Sequence, residues 1–184
     1  MKRRGFLKSA ASAFPLAFTQ PFALASTSSD PSAKDVHVVL SGEDRSGERH
    51  SRGYSRILFK NSTKDAGGSL FVIEHQNLTG GGPPLHIHNE QEEWFYVMEG
   101  EVLFQVGEKR LRLKPGDSLL GPRGVPHAFT PVAAKPSRIL IAFTPAGKME
   151  QFFRDTAIPN PPKEDAAFFR RYDMELVGPP LKAM

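Results

Sequence analysis

Apolar and polar residues alternate in short runs along most of the chain, and each run ends in a turn residue. Val36–Leu40, Arg56–Asn61, Ser69–Asn77, Leu85–His88 and Glu92–Met98 read as strands on this basis. Glu101–Val106, Lys109–Leu113, Ser118–Leu120, Pro126–Phe129 and Ser137–Thr144 continue the series. Gly107-Glu108 has the character of a hairpin turn, and Lys114-Pro115-Gly116-Asp117 of a second turn. Strands this short and closely spaced predict an all-β sandwich or barrel rather than alternating βαβ units. After Gly147 the period changes. Met149, Phe152 and Phe153, then Phe168, Phe169 and Tyr172, recur at helical spacing. Pro161 or Pro162 suits the first turn of the second helix. The aromatic faces of these two helices are expected to serve as core, packed on the barrel or on a second subunit. Gly178-Pro179-Pro180-Leu181 is expected to close the chain as an extended tail.

Composition changes this picture mainly at one end. The 184 residues are 39% hydrophobic and 24% charged, which suits one domain with a sizeable core. No cysteine is present, which excludes disulfides, thiolate nucleophiles, zinc fingers and iron–sulfur clusters. The formal charge of +4 originates in Lys2, Arg3, Arg4 and Lys8; the remaining basic residues equal the 20 acidic ones in number. Nucleic acid is therefore not an expected partner. The run Lys2 to Lys8, an apolar Ala/Phe/Leu stretch and Ala23-Leu24-Ala25 together resemble the twin-arginine export signal of bacteria. That resemblance implies a signal peptide over 1–25, cleavage near Ala25, the twin-arginine export machinery as a partner and a mature protein in the periplasm. It also implies folding before export, often around a cofactor. Pro15 and Pro21 interrupt the apolar run, so no stable membrane anchor is expected. Residues 26–35 read as a flexible arm, 36–147 as the barrel, and 148–184 as a helical extension packed on it.

The chemistry concentrates in two spaced motifs. The first has Gly80, His86, His88, Glu93 and Gly100; the second has Gly116, Pro122, Gly124 and His127. In a strand, side chains at i and i+2 share a face, so His86 and His88 can both point into a barrel. Alternation places Glu93, Phe95 and Val97 on one face and Trp94, Tyr96 and Met98 on the other. His127 follows a rigid Pro-x-Gly turn and enters from a nearby strand. Three imidazoles and one carboxylate suit one divalent first-row transition metal, iron, manganese, nickel, cobalt or copper, with two of six octahedral positions open. His37, His50 and His75 belong to no motif and read as surface or structural. Phe95, Val97, Leu103 and Phe129 are candidate apolar walls, equally explicable as core. No Gly-x-Ser-x-Gly elbow or phosphate loop is present.

The two motifs resemble the signature of the cupin superfamily, with one departure. The family commonly has Asn where this chain has Pro131. That asparagine is not usually a ligand, so the ligand set is unaffected. The resemblance implies a double-stranded β-helix (jelly-roll) barrel with short C-terminal helices. It implies His86, His88, Glu93 and His127 as metal ligands, and it prefers Glu93 over Glu92 because six residues then separate the carboxylate from Gly100. Glu90, Glu92 and Glu99 are expected to be solvated. Gly81-Gly82-Pro83-Pro84-Leu85-His86-Ile87-His88, Glu93-Trp94-Phe95-Tyr96-Val97 and the terminal Gly178-Pro179-Pro180-Leu181 look like the quercetin dioxygenase-like branch, over residues 55–184. This implies a mononuclear-metal dioxygenase for a small aromatic or enolic substrate, with Glu93 also acting as the catalytic base. A sugar or keto–enol isomerase and a non-catalytic periplasmic binding cupin are the alternatives. A homodimer is expected by analogy with single-domain cupins.

Overall fold

The computed structural model describes residues 36–132 and 135–183. The chain divides into two units, Met1–His37 and Val38–Met184, and the second carries the fold. The signal peptide and the arm predicted over 1–35 lie outside the described residues.

Among the described residues, eleven strands form two antiparallel sheets. The first half of the chain supplies β1 (His50–Arg52), β2 (Ser55–Asn61), β3 (Phe71–Leu78), β4 (Pro84–His88), β5 (Glu92–Glu99) and β6 (Val102–Val106). Then come β7 (Lys109–Leu113), β8 (Ser118–Gly121), β9 (His127–Pro131) and β10 (Ser137–Thr144). Two short helices, α1 (Met149–Thr156) and α2 (Ala166–Arg170), precede the last strand, β11 (Met174–Pro180). One sheet has the order β1-β2-β3-β10-β5-β8 and the other β11-β4-β9-β6-β7. This is the jelly-roll arrangement expected from the sequence, with few helices.

The strands form where the alternation predicts them, because one face of each lies against the core. Phe95 and Val97 of β5 are 1% and 0% exposed, whereas Trp94, Tyr96 and Met98 point outward. Phe59, Phe71, Phe95, Phe104 and Phe143 are all fully buried, and edge-on ring contacts link Phe59 to Phe71 and Phe95 to Phe104. Each such ring contributes roughly 1.5–3 kcal/mol through removal of apolar surface from water.

Three sequence expectations are corrected. Val36–Leu40 is not a strand, and Val36 and Val38 are 89% and 77% exposed. The edge of β2 that it would need is already taken by β1, with His50 opposite Ile57 and Arg52 opposite Ser55. Strand β1 escapes the pattern because His-Ser-Arg has no apolar residue to alternate. The second helix begins at Ala166 and not at Pro161 or Pro162; Asp165 caps it by accepting a hydrogen bond from the Phe168 amide at 3.0 Å. The C-terminal stretch is not wholly helical; its extended end is a paired strand. Residues 174–180 pair with β4, placing Met174 opposite His88 and Leu176 opposite His86. An edge strand, paired on one side only, tolerates Pro179 and Pro180.

Candidate metal centre

Strands β4 and β9 are neighbours, and His86 lies opposite His127 across them. His88 is two residues further along the same face of β4. Glu93 comes from β5 in the facing sheet, where its register partners are Phe143 and Gly121. The sheet ladders therefore bring together, across the barrel interior, the four residues the sequence motifs single out. All four are buried, and their ligand atoms lie within 4.8 Å of one another.

Each ring is aimed. His86 Nδ1 donates to the Pro84 carbonyl at 2.8 Å and His127 Nδ1 to the Val125 carbonyl at 2.9 Å. Both Nε2 atoms thus face inward. His127 Nε2 is 2.7 Å from Glu93 Oε2, and His88 Nε2 is 3.1 Å from it. His86 Nε2 is 3.2 Å from His88 Nε2 and 4.0 Å from Glu93 Oε2. A metal about 2.1 Å from each donor would set adjacent donors about 3.0 Å apart and opposite donors about 4.2 Å apart. The observed separations span that range, so the donor set fits one divalent ion of the transition series.

Electrostatics agree with the geometry. Burial works to raise the Glu93 pKa, but hydrogen bonds and charge from His127 and His88 outweigh it and hold the carboxyl ionised, far below its ordinary value. Burial lowers the His86 pKa well below its usual range, and the neighbouring His127 and His88 lower it further. His127 moves the other way. Burial opposes its charged form, yet the hydrogen bond and charge of Glu93 raise it. A site that draws a proton onto one imidazole and keeps a carboxylate ionised also draws a cation.

Above the cluster is a cavity of about 30 Å³. Phe129, Ile141 and Phe143 line it from the sheets, and Met149, Phe152, Phe153 and Phe169 from the helices. The helical aromatics were expected to be core only; they are buried, and they also roof the site, with the Phe169 ring 5.9 Å from that of His86. Phe129 is the one of the four candidate wall residues that reaches the cavity, whereas Phe95, Val97 and Leu103 are buried core. Glu92 faces outward, bound to the amide and guanidinium of Arg123, and Glu99 is exposed beside Arg138, so Glu93 is the carboxylate that enters the barrel.

Sequence reasoning missed the polar part of the wall: Arg52, Tyr54, His75 and Glu164. His75 reads as a stray histidine, but it is 1% exposed, bonded through Nδ1 to Ser55 Oγ at 2.7 Å and stacked parallel to Tyr54. No spacing motif links these residues. The one available signal is the placement of His75 at an inward position of β3.

Residues 76–143 match the cupin domain family model. The chain is 29% identical over 117 residues to the HTH-type transcriptional regulator PuuR of Escherichia coli, covering 64% of this chain and 62% of that protein. It is 25% identical over 135 residues to quercetin 2,3-dioxygenase of Bacillus subtilis, covering 73% of this chain and 38% of that enzyme. The chain thus spans less than two thirds of either relative. Among solved structures, an RmlC-like cupin from Shewanella frigidimarina superposes with a TM-score of 0.53 at 20% identity, over 63% of this chain and 96% of that one. That likeness concerns the barrel fold.

Proposed function

We propose that this chain is a mononuclear-metal cupin that oxidises a small enolic or ortho-dihydroxy aromatic substrate with dioxygen. The observation that carries the reading is the convergence of three imidazole Nε2 atoms and one carboxylate at a largely aromatic cavity. His86, His88, His127 and Glu93 would hold the ion. Once bound, it would supply Lewis acidity toward an enol or phenol oxygen and a path for electrons. Glu93 is the carboxylate of the cluster and would be the acceptor for a substrate hydroxyl proton. The phenylalanine roof keeps water away from a reactive intermediate. The similarity to the Bacillus subtilis enzyme supports the reaction class. The substrate must be small, because the cavity falls far below the roughly 300–1,000 Å³ of sites that enclose drug-sized ligands.

Elemental analysis of the purified protein, followed by oxygen-electrode assays with catechols and small enols, tests this reading. About one equivalent of transition metal per chain with substrate-dependent oxygen uptake is expected. Metal without uptake across the panel would favour ligand binding or isomerisation, and absence of metal would overturn the metal centre itself. We also propose that the protein is exported through its arginine-paired leader to the periplasm. Replacing Arg3 and Arg4 by lysine should leave uncleaved precursor in the cytoplasm; unchanged periplasmic accumulation would refute this.

A further inference from the structure

Arg52 ends β1 and is an unusual residue to find beside an aromatic cavity. Its side chain is only 8% exposed. Nη2 donates to both carboxylate oxygens of Glu164 at 2.6 Å, and Nη1 donates to Thr156 Oγ1 at 2.7 Å. Its guanidinium also lies over the Tyr54 and Phe152 rings, at 5.8 and 5.4 Å. Thr156 is itself fixed, donating to the Phe152 carbonyl at 2.7 Å. The guanidinium is therefore anchored on the protein side by α1, and its second face is given to Glu164.

The placement of the pair is informative. Arg52, Tyr54 and Glu164 line the aromatic cavity beside the four clustered residues, and the same three residues also line a cleft of about 590 Å³. Arg49, Pro159 and Asn160 bound that cleft. The ion pair thus stands in the partition between the solvent cleft and the metal cavity. Its two members are not equivalent. Glu164 projects from the irregular segment between α1 and α2, and its side chain is 20% exposed. It can return to water, whereas Arg52 stays behind on Thr156. A buried guanidinium left alone is costly, so whatever displaces Glu164 must bring a carboxylate of its own.

We infer that Arg52 is a carboxylate-binding residue for the substrate, and that Glu164 holds its place until an acidic ligand enters from the cleft. The partition recognises a bidentate carboxylate in the planar geometry that arginine favours. A neutral ligand gains nothing at Arg52 and leaves the pair closed. Resting on the proposed metal site for the ligand's other end, this narrows the substrate class to small carboxylic acids that also carry an enol or ortho-diol.

Calorimetric titration with 3,4-dihydroxybenzoate and with catechol, which differ by one carboxylate, provides the test. Both are titrated into the protein as isolated and after removal of metal by chelation. Wild-type protein should bind the acid about tenfold or more tightly than catechol. Glu164→Gln keeps shape but removes the competing charge, so it should strengthen acid binding and leave catechol unchanged. Arg52→Gln should bring the ratio close to one. An unchanged or smaller ratio in Glu164→Gln would overturn the inference, since a purely structural ion pair weakens the fold without favouring an acid. That variant decides the matter even if Arg52→Gln does not fold. Preference for the acid in chelated protein with no native metal would overturn the metal reading alone. Metal binding without acid preference would overturn the role of Arg52 alone.

Discussion

Acidification should weaken this fold through one cavity histidine that is not among the four clustered residues. His75 is packed edge-on against Phe129 at 5.7 Å and Phe153 at 6.3 Å, and stacked on Tyr54 at 6.2 Å between ring centroids. Burial, and secondarily the charge of Arg52, push its pKa from 6.5 down to about 3, against a weaker opposing pull from Glu93. The sign follows from proton binding. Below pH 6.5 the unfolded chain takes up a proton that the folded chain refuses until about pH 3, so stability falls as pH falls through that window. At pH 5.0 the unfolded histidine is protonated one and a half units below its pKa, which at about 1.36 kcal/mol per unit costs the native state about 2 kcal/mol. Other groups titrate in the same range, so the comparison is with His75→Gln, which keeps a polar partner for Ser55 and cannot charge. Urea unfolding at pH 7.5 and 5.0 should show wild-type protein losing about 2 kcal/mol more than the variant. Parallel losses in the two proteins would refute the reasoning, because they would mean that His75 titrates in contact with water.

Two further outcomes follow from the site. His88→Ala should lower metal occupancy sharply in elemental analysis while circular dichroism still reports a β-fold; full metal content in that variant would sink the ligand assignment. Phe169→Ala should cost about 3–5 kcal/mol in urea unfolding, since a fully buried ring is lost. It should also widen the cavity enough to admit bulkier catechols, and a stability change under about 1 kcal/mol would show that the roof is not packed on the barrel.

What the sequence made legible was whatever a period or a fixed spacing encodes. The inward face of β5 follows from alternation alone, and the His86, His88 pair follows from the i, i+2 rule. The spacing around Glu93 selects it over Glu92, and Glu92 lies on the outer surface beside Arg123. Features that depend on a partner strand were not legible. Val36–Leu40 alternates well but has no free sheet edge beside β2, while β11 contains two prolines and is a strand because β4 offers an edge. Helical spacing identified the buried faces of α1 and α2 without indicating what they cover. The Arg52–Glu164 pair joins residues 112 positions apart, a distance at which no local pattern operates.

These gaps share a physical basis that bears on how the site works. Strand β4 carries two of the four clustered side chains, yet its direct register with β9 is the single pair His86 opposite His127. Its other flank is held by β11, with Leu176 opposite His86 and Met174 opposite His88. The C-terminal strand is thus a brace for the donor atoms. It fixes them within a hydrogen-bonded ladder, where displacement of one side chain would require the ladder to shift. Recognition is assigned to different material. Glu164 lies on an irregular connection that can move without disturbing the ladders, whereas Arg52 ends β1 opposite Ser55 and stays anchored on Thr156. A rigid donor set below and a displaceable ion pair above allow the acid group of a ligand to be admitted without altering the positions of the atoms that would hold the metal.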